Sequence, residues 1–405
     1  MILQNSLRPR FQAVLASAWI SKRSANNYVQ EYVKRVQAES KQQKQKNGAS
    51  RQAIPFDPPI QVQVLRINES IIGYEPLDAV NGGEDSLFHV RLKQNLVFGV
   101  SDGVGGWNES GIDPSIFSRS LTAYSAAAAD NTFLLHDSDE ADPRDIMRRA
   151  FAAMRFDNIP AYGSATELVL NLSLASGNLQ TAQLGDSTYV ILDPQQRARV
   201  VSAEQQHRFN MPYQLTIPPI GDGPDPPKPT DGEGSDQTSA QFFRPRPETE
   251  QGRKQIDADD FSDLSQVGFD CPNDARLEKH SLGHNDIVVA ATDGLFDNVP
   301  VDEVEKLADR FMVAISKINA IPSDGAKTKP EDIDLFGGLA YSIAAQAVTN
   351  YIQRDLKSPF AERAKLAGYS YTGGKPDDVT IMLAWIRETS KVEAQAKLSD
   401  QKPKL

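Results

Sequence analysis

At 405 residues and 40% apolar composition, the chain is long enough to bury a sizeable core, in one large domain or two modest ones. A single cysteine, Cys271, excludes an internal disulfide framework and a thiolate zinc cluster. The net charge of −11 is uneven: residues 1–50 hold nine Lys/Arg against Glu31 and Glu39, which makes that segment +7 and the remainder −18. So acidic a body excludes nucleic acid as a partner, because neutralising phosphates requires a basic face.

In chain order, the first feature is the basic start. Arg8, Arg10, Lys22 and Arg23 come before any acidic residue, and Leu3, Leu7, Phe11, Val14, Leu15 and Ala18 recur at helical spacing, the composition of an amphipathic mitochondrial presequence. A signal peptide would need a longer uninterrupted apolar run, and Gln12 and Ser17 break this one. A membrane anchor would need about 20 apolar residues, roughly twice what is present. The expectation is a presequence with a polar, disordered tail over 1–60, a mature start between 25 and 60, and a mitochondrial, matrix location.

Further along, LVFGVS at 96–101 is a short apolar run of buried-strand type. Helices are expected at 113–130, opened by Asp113-Pro114 with Ile116, Phe117, Leu121 and Tyr124 on one face, and at 143–156, opened by Asp142-Pro143. Residues 164–192 alternate cleanly around an SGN turn and read as antiparallel strands. The stretch 221–265 is too polar and too long for an ordinary connection and reads as a disordered surface insertion within one domain spanning 61–390. DIVVAA at 286–291 is another buried strand, helices follow at 301–316 and 337–356, and a last strand puts Val379, Ile381, Leu383 and Trp385 on one face. Residues 391–405 read as a flexible tail. Local strand pairs with interspersed helices indicate mixed α and β layers around an antiparallel core, not a doubly wound parallel sheet.

Two of these strands end on Asp-Gly, at Asp102 and Asp293; Asp377 and Asp378 open the last strand, and Glu84 and Asp85 enter another. Each alone is a common turn residue. Brought together at the ends of buried strands they would repel and desolvate at several kcal/mol per ion unless a cation compensated. A pair of divalent ions would do so. An all-oxygen donor set with no paired His or Cys selects Mg²⁺ or Mn²⁺ over Zn²⁺, and Gly103 would let its carbonyl approach an ion. Paired ions of this kind activate water for attack on a phosphoryl group.

The motifs GED, SDGVGGW, GSAT, LGDS, ATDGLFDN and KPDDVT, in that order, resemble the metal-dependent protein phosphatases of type 2C over residues 70–387. SDGVGGWNESGIDPSIFS, EQQHRFN and SPFAERA are similar to the mitochondrial branch of that family. The resemblance implies two antiparallel sheets packed face to face with helices on both outer sides, and phosphoserine or phosphothreonine in proteins as substrate. It places Asp102 as the bridging metal ligand with the Gly103 carbonyl beside it, Glu84 at the second metal, Asp293 and Asp377 at the first, and a further, looser metal at Asp186. It also implies mitochondrial phosphoproteins as partners, with coenzyme Q biosynthesis as an association; the short apolar run at the start already makes a membrane-spanning segment unexpected. Two positions depart from the pattern. Val80 and Val104 stand where many members have a phosphate-gripping Arg and a His proposed as general acid, so turnover is expected to be lower than in members that keep both. A catalytically weak or inactive member serving as an interaction module is the alternative. His207 reads as either a replacement acid or a structural hydrogen-bonder, Lys375 as either a phosphate-facing cation or a solvated turn charge, and Cys271 as an ordinary residue. The glycines of SDGVGG lack the pattern of a nucleotide loop.

Overall fold

A computed structural model describes residues 10–45, 55–67, 82–92, 94–135, 142–160, 162–218, 268–319 and 330–389, together with Phe261 and Leu264. The described strands are antiparallel and assemble into two large sheets. The first has six strands: β1 (Phe11–Ile20), β2 (Gln61–Ile67), β8 (Thr188–Leu192), β9 (Ala198–Val201), β14 (Ile287–Ala291) and β15 (Val379–Glu388), in the order β2-β1-β15-β14-β8-β9. The second has five: β3 (Asp85–Arg91), β4 (Asn95–Asp102), β6 (Glu167–Ser173), β7 (Asn178–Leu184) and β13 (Arg276–Ser281), in the order β13-β7-β6-β4-β3. Short pairs join β5 (Gly163–Ala165) to β12 (Leu215–Ile217) and β10 (Gln206–Arg208) to β11 (Met211–Pro212).

Strand alternation distributes the apolar side chains over three layers. Leu168, Leu170 and Leu172 of β6 point between the sheets, where they meet Leu15, Phe98, Tyr189, Val288, Met382 and Ile386. Val379, Ile381, Leu383 and Trp385, the expected face of β15, point outward beneath α5 (Val301–Asn319) and α6 (Pro330–Tyr351), packing with Phe311, Phe336 and Ile343. The five-stranded sheet is covered by α2 (Pro114–Leu135) and α3 (Pro143–Asp157) through Phe117, Leu121, Ile146 and Phe151. The result is the helix, sheet, sheet, helix layering expected of the family. The Asp-Pro openings of α2 and α3 hold. Asp113 accepts a hydrogen bond from the Ser115 amide at 2.9 Å and Asp142 one from the Arg144 amide at 2.9 Å, satisfying free N–H groups of the first turn. Within the face expected on α2, Phe117 and Leu121 are buried while Ile116 is exposed. Among the described residues no helix is long and apolar enough to cross a membrane.

The leader reading is corrected. Phe11–Ile20 is not a helical face but a strand in the interior of the six-stranded sheet, paired over its whole length with β15, from Phe11 opposite Glu388 to Ile20 opposite Val379. Both its faces are buried: Phe11, Ala13, Leu15 and Trp19 in the inter-sheet core, Val14, Ala16, Ala18 and Ile20 under the helices. A strand covered on both sides shows no alternation, so its apolar positions can be counted equally well at helical spacing. Cleavage between 25 and 60 would remove β1 and leave β2 with no partner strand. After β1 comes α1 (Lys22–Gln45). Residues 1–9 lie outside the described residues, as do 219–260 of the expected insertion and 390–405 of the tail. The insertion's far end is also corrected: Phe261 and Leu264 are buried against the α3 side of the core, the Phe261 ring 5.8 Å from that of Phe151.

Candidate active site

One end of the sandwich collects the acidic residues because strand ends from both sheets converge there. Asp102 ends β4, and Asp85 stands opposite it at the start of β3. Asp293 follows β14 and opens a single helical turn, α4 (Asp293–Phe296). Asp377 and Asp378 precede β15, the neighbour of β14. Backbone contacts fix the register: the Gly103 amide donates to the Glu84 carbonyl at 3.0 Å and the Thr166 amide to the Asp102 carbonyl at 2.9 Å.

The glycine of each Asp-Gly has a packing reason. A side chain at Gly103 would lie 2.5 Å from the Pro114 carbonyl oxygen, and one at Gly294 would overlap the Asp378 carbonyl. These glycines let a loop from one element press against another, which is how the aspartate before each is pushed into a shared space.

The carboxylates then divide by role. Glu84 is half-buried and accepts a hydrogen bond from Asn108 Nδ2 at 2.6 Å through Oε1. Asp85 is buried and held by Thr292 Oγ1 at 2.8 Å. Asp378 turns away from its neighbour Asp377 and accepts from the Lys22 and Glu84 amides at 2.5 and 2.7 Å, so it ties the start of α1 to the Glu84 turn. Asp293, Asp297 and Asp377 each offer an oxygen within 4.8 Å of the others. Asp297 was not singled out in the sequence. Its signal is spacing, since it lies four residues after Asp293, one helical turn away on the same face.

Electrostatics binds Asp102 and Asp186 to this group. Burial pushes Asp102 well above the usual carboxylate range, and the charges of Asp85, Asp293, Asp377 and Asp186 add to it. Burial, followed by Asp293, raises Asp186 likewise. Asp377 is lifted to about 6 and Asp297 to about 7, first by burial and partly offset by Lys375. For Asp293 burial also pushes upward, but the attraction and hydrogen bond of Lys375 outweigh it and hold the group below its usual value. Asp293 Oδ1 is nonetheless buried with no hydrogen-bond partner. An orphaned carboxylate oxygen in an all-oxygen cluster of mutually repelling acids is what a hard divalent cation would satisfy. The donor chemistry fits such an ion: Asp293, Asp297 and Asp377 offer oxygens close enough to share one, and Asp102 is buried among the same charges.

No family model matches the chain, but individual proteins do. The protein phosphatase PTC7 homolog fig of Drosophila pseudoobscura pseudoobscura is 31% identical over 331 residues, 80% of this chain and 78% of that protein. The chain belongs to the metal-dependent protein phosphatases of type 2C. The 5-azacytidine resistance protein azr1 of Schizosaccharomyces pombe is 29% identical over 311 residues, 77% of this chain and 84% of that one. The X-ray structure of the photosystem II phosphatase PBCP matches with a TM-score of 0.50 at 23% identity, covering 77% of this chain and 95% of that one, and shares its fold.

In this phosphatase the cations around the centre are the residues that sequence reasoning placed least well. Lys375 is neither a free turn charge nor open to solvent: it pairs with Asp293, Asp297 and Asp377. Arg363 of α7 (Pro359–Leu366) pairs with Asp297 and, at 3.3 Å, with Glu204. Lys22, from the segment read as a leader, is exposed; burial raises the Glu84 and Asp377 carboxyls, and the Lys22 charge offsets part of that rise. His207 faces elsewhere, bonded to Asp270 at 3.0 Å and stacked on Tyr213 at 4.1 Å. Val104 bonds through its backbone, its amide donating to the Ser164 carbonyl and its carbonyl accepting from the Trp107 amide, and Val80 lies outside the described residues. Cys271 is buried in the core.

Proposed function

We propose that this phosphatase hydrolyses phosphoserine and phosphothreonine in proteins at a binuclear Mg²⁺ or Mn²⁺ centre held by Glu84, Asp102, Gly103, Asp293 and Asp377. The observation that carries the reading is the unpartnered, buried Asp293 Oδ1 amid acids contributed by both sheets. Two divalent ions there would neutralise phosphoryl charge and supply an activated water. The chain's own groups do the rest. Asn108 fixes the Glu84 carboxylate, and Asp378 clamps the Glu84 and Lys22 backbones together. In this reading Lys22, whose charge acts on Glu84 and Asp377, and the half-buried Arg119, which donates to the Gly83 carbonyl at 3.5 Å, receive the substrate phosphate in place of an arginine at position 80. With valine at 104, no side chain there donates a proton to the leaving group.

The proposed substrates are phosphorylated mitochondrial proteins, those of coenzyme Q biosynthesis among them. The support is the likeness of EQQHRFN and SPFAERA to the mitochondrial branch. Any leader is cleaved ahead of Phe11, since β1 completes the sheet. The direct test is phosphate release from phosphothreonine peptides by the full-length chain. Turnover should require Mn²⁺ or Mg²⁺, stop in EDTA, and fail in Asp102→Asn and Asp293→Asn. Folded protein that binds a phosphopeptide yet releases no phosphate in either metal would establish the interaction-module alternative instead.

A further inference from the structure

The Asp293, Asp297 and Asp377 oxygens are spaced to share one cation, and a cation of the chain's own already lies among them. Lys375 Nζ is 2.5 Å from Asp293 Oδ2, 2.7 Å from Asp297 Oδ2 and 3.1 Å from Asp377 Oδ2. Its backbone is clamped. The amide donates to Asn298 Oδ1 at 2.9 Å, and the carbonyl accepts from Asn298 Nδ2 at 2.8 Å. Asn298 is fully buried one residue beyond Asp297, and Pro376 stiffens the chain on the other side. The ammonium also sits 5.1 Å from the centroid of the Phe360 ring, a distance at which the ring face attracts it. Backbone and side chain are thus both held, which a side chain meant to swing out would not need.

Asp293 divides its two oxygens accordingly. Oδ2 is taken by Lys375, while Oδ1 is buried and unpartnered. We infer that Lys375 is a resident cation: its ammonium fills the position bounded by Asp293, Asp297 and Asp377, next to Asp186, and confines divalent ions to the side of Asp102 and Glu84. This rests on the reading of the acidic centre as a divalent-ion site. Its consequence is specific to Lys375. Taking away the ammonium removes the one cation shared by the three aspartates, leaves Arg363 on Asp297 alone, and opens a space that can accept one more divalent ion.

The test counts Mn²⁺ bound per full-length chain, by equilibrium dialysis with electron paramagnetic resonance of the free ion, for the natural protein, Lys375→Met and Lys375→Arg. Lys375→Met should bind one ion more than the natural protein, and Lys375→Arg the same number. Equal counts for the natural protein and Lys375→Met would overturn the proposal. Binding by Lys375→Met but not by the natural protein would uphold the resident cation and overturn the two-ion reading of the active protein; binding by neither would overturn both. Because Lys375→Met could be weakly folded without metal, melting temperatures give a second readout. The upward shift on adding Mn²⁺ should be larger in Lys375→Met than in the natural protein, and equal shifts would count against the proposal.

Discussion

Single residues set the chemistry, and their effects separate by contact. Asp293→Asn neutralises a proposed metal ligand and the nearest carboxylate partner of Lys375, so Mn²⁺ affinity should fall by more than the roughly 10–100-fold typical of losing an outer hydrogen-bond partner; calorimetric titration with Mn²⁺ checks this. Asn108→Ala, which only frees the Glu84 carboxylate, should stay within that range of about 10–100-fold. Lys22→Ala leaves every proposed metal ligand in place, so KM for a phosphopeptide should rise while kcat changes little, as expected when binding that acts equally on ground and transition states is removed. A different residue gives a pH signature. Glu167 is fully buried on β6 beside Ser125 Oγ, its second oxygen unpartnered, and burial raises its carboxyl from 4.5 to about 8. A raised carboxyl keeps its proton in the folded chain while the unfolded chain releases it, so stability is full below about 4.5 and declines as pH rises towards 8. Relative to the natural protein, Glu167→Gln should therefore gain stability, on the order of a few kcal/mol, between pH 5 and 8. Urea unfolding at both pH values measures it.

Among the elements, β1 has the largest consequence. It lies between β2 and β15 and fills both faces of its sheet, so Leu15→Ala should cost about 2–5 kcal/mol and removal of residues 1–20 should abolish cooperative unfolding, as read by circular dichroism on heating. The sequence disclosed those elements whose pattern is local. The alternating leucines of β6, the outward face of β15 and the Asp-Pro openings of α2 and α3 all stand where periodicity and capping put them. β1 was hidden because its longest pairing is with β15 at the other end of the chain and its two buried faces erase the alternation that marks a half-exposed strand. The ends of Asp-Gly strands were legible for a related reason. Each Asp-Gly alone is a common turn; their joint placement at the ends of buried strands and the motif order marked the site. Asp297 and Lys375 were less legible, since a one-turn helix is too short to show a period and a lysine before Pro-Asp looks like any turn charge.

At the scale of the whole molecule, the acidic centre is a cost that folding carries until cations compensate it. Asp85, Asp102, Asp186 and Asp297 are all raised first by burial, so the metal-free chain is held below its attainable stability and the metal-loaded chain should be markedly firmer. Ion at 100 times its Kd would add about 2.7 kcal/mol, visible as a melting temperature that climbs with Mn²⁺ and returns in EDTA. The most direct measurement is anomalous scattering at the manganese edge from crystals of the full-length chain grown with Mn²⁺. The expected result is density for the ions between Asp102, Asp293 and Asp377 and beside Glu84. Ordered crystals whose map shows no manganese among these four carboxylates would contradict the account.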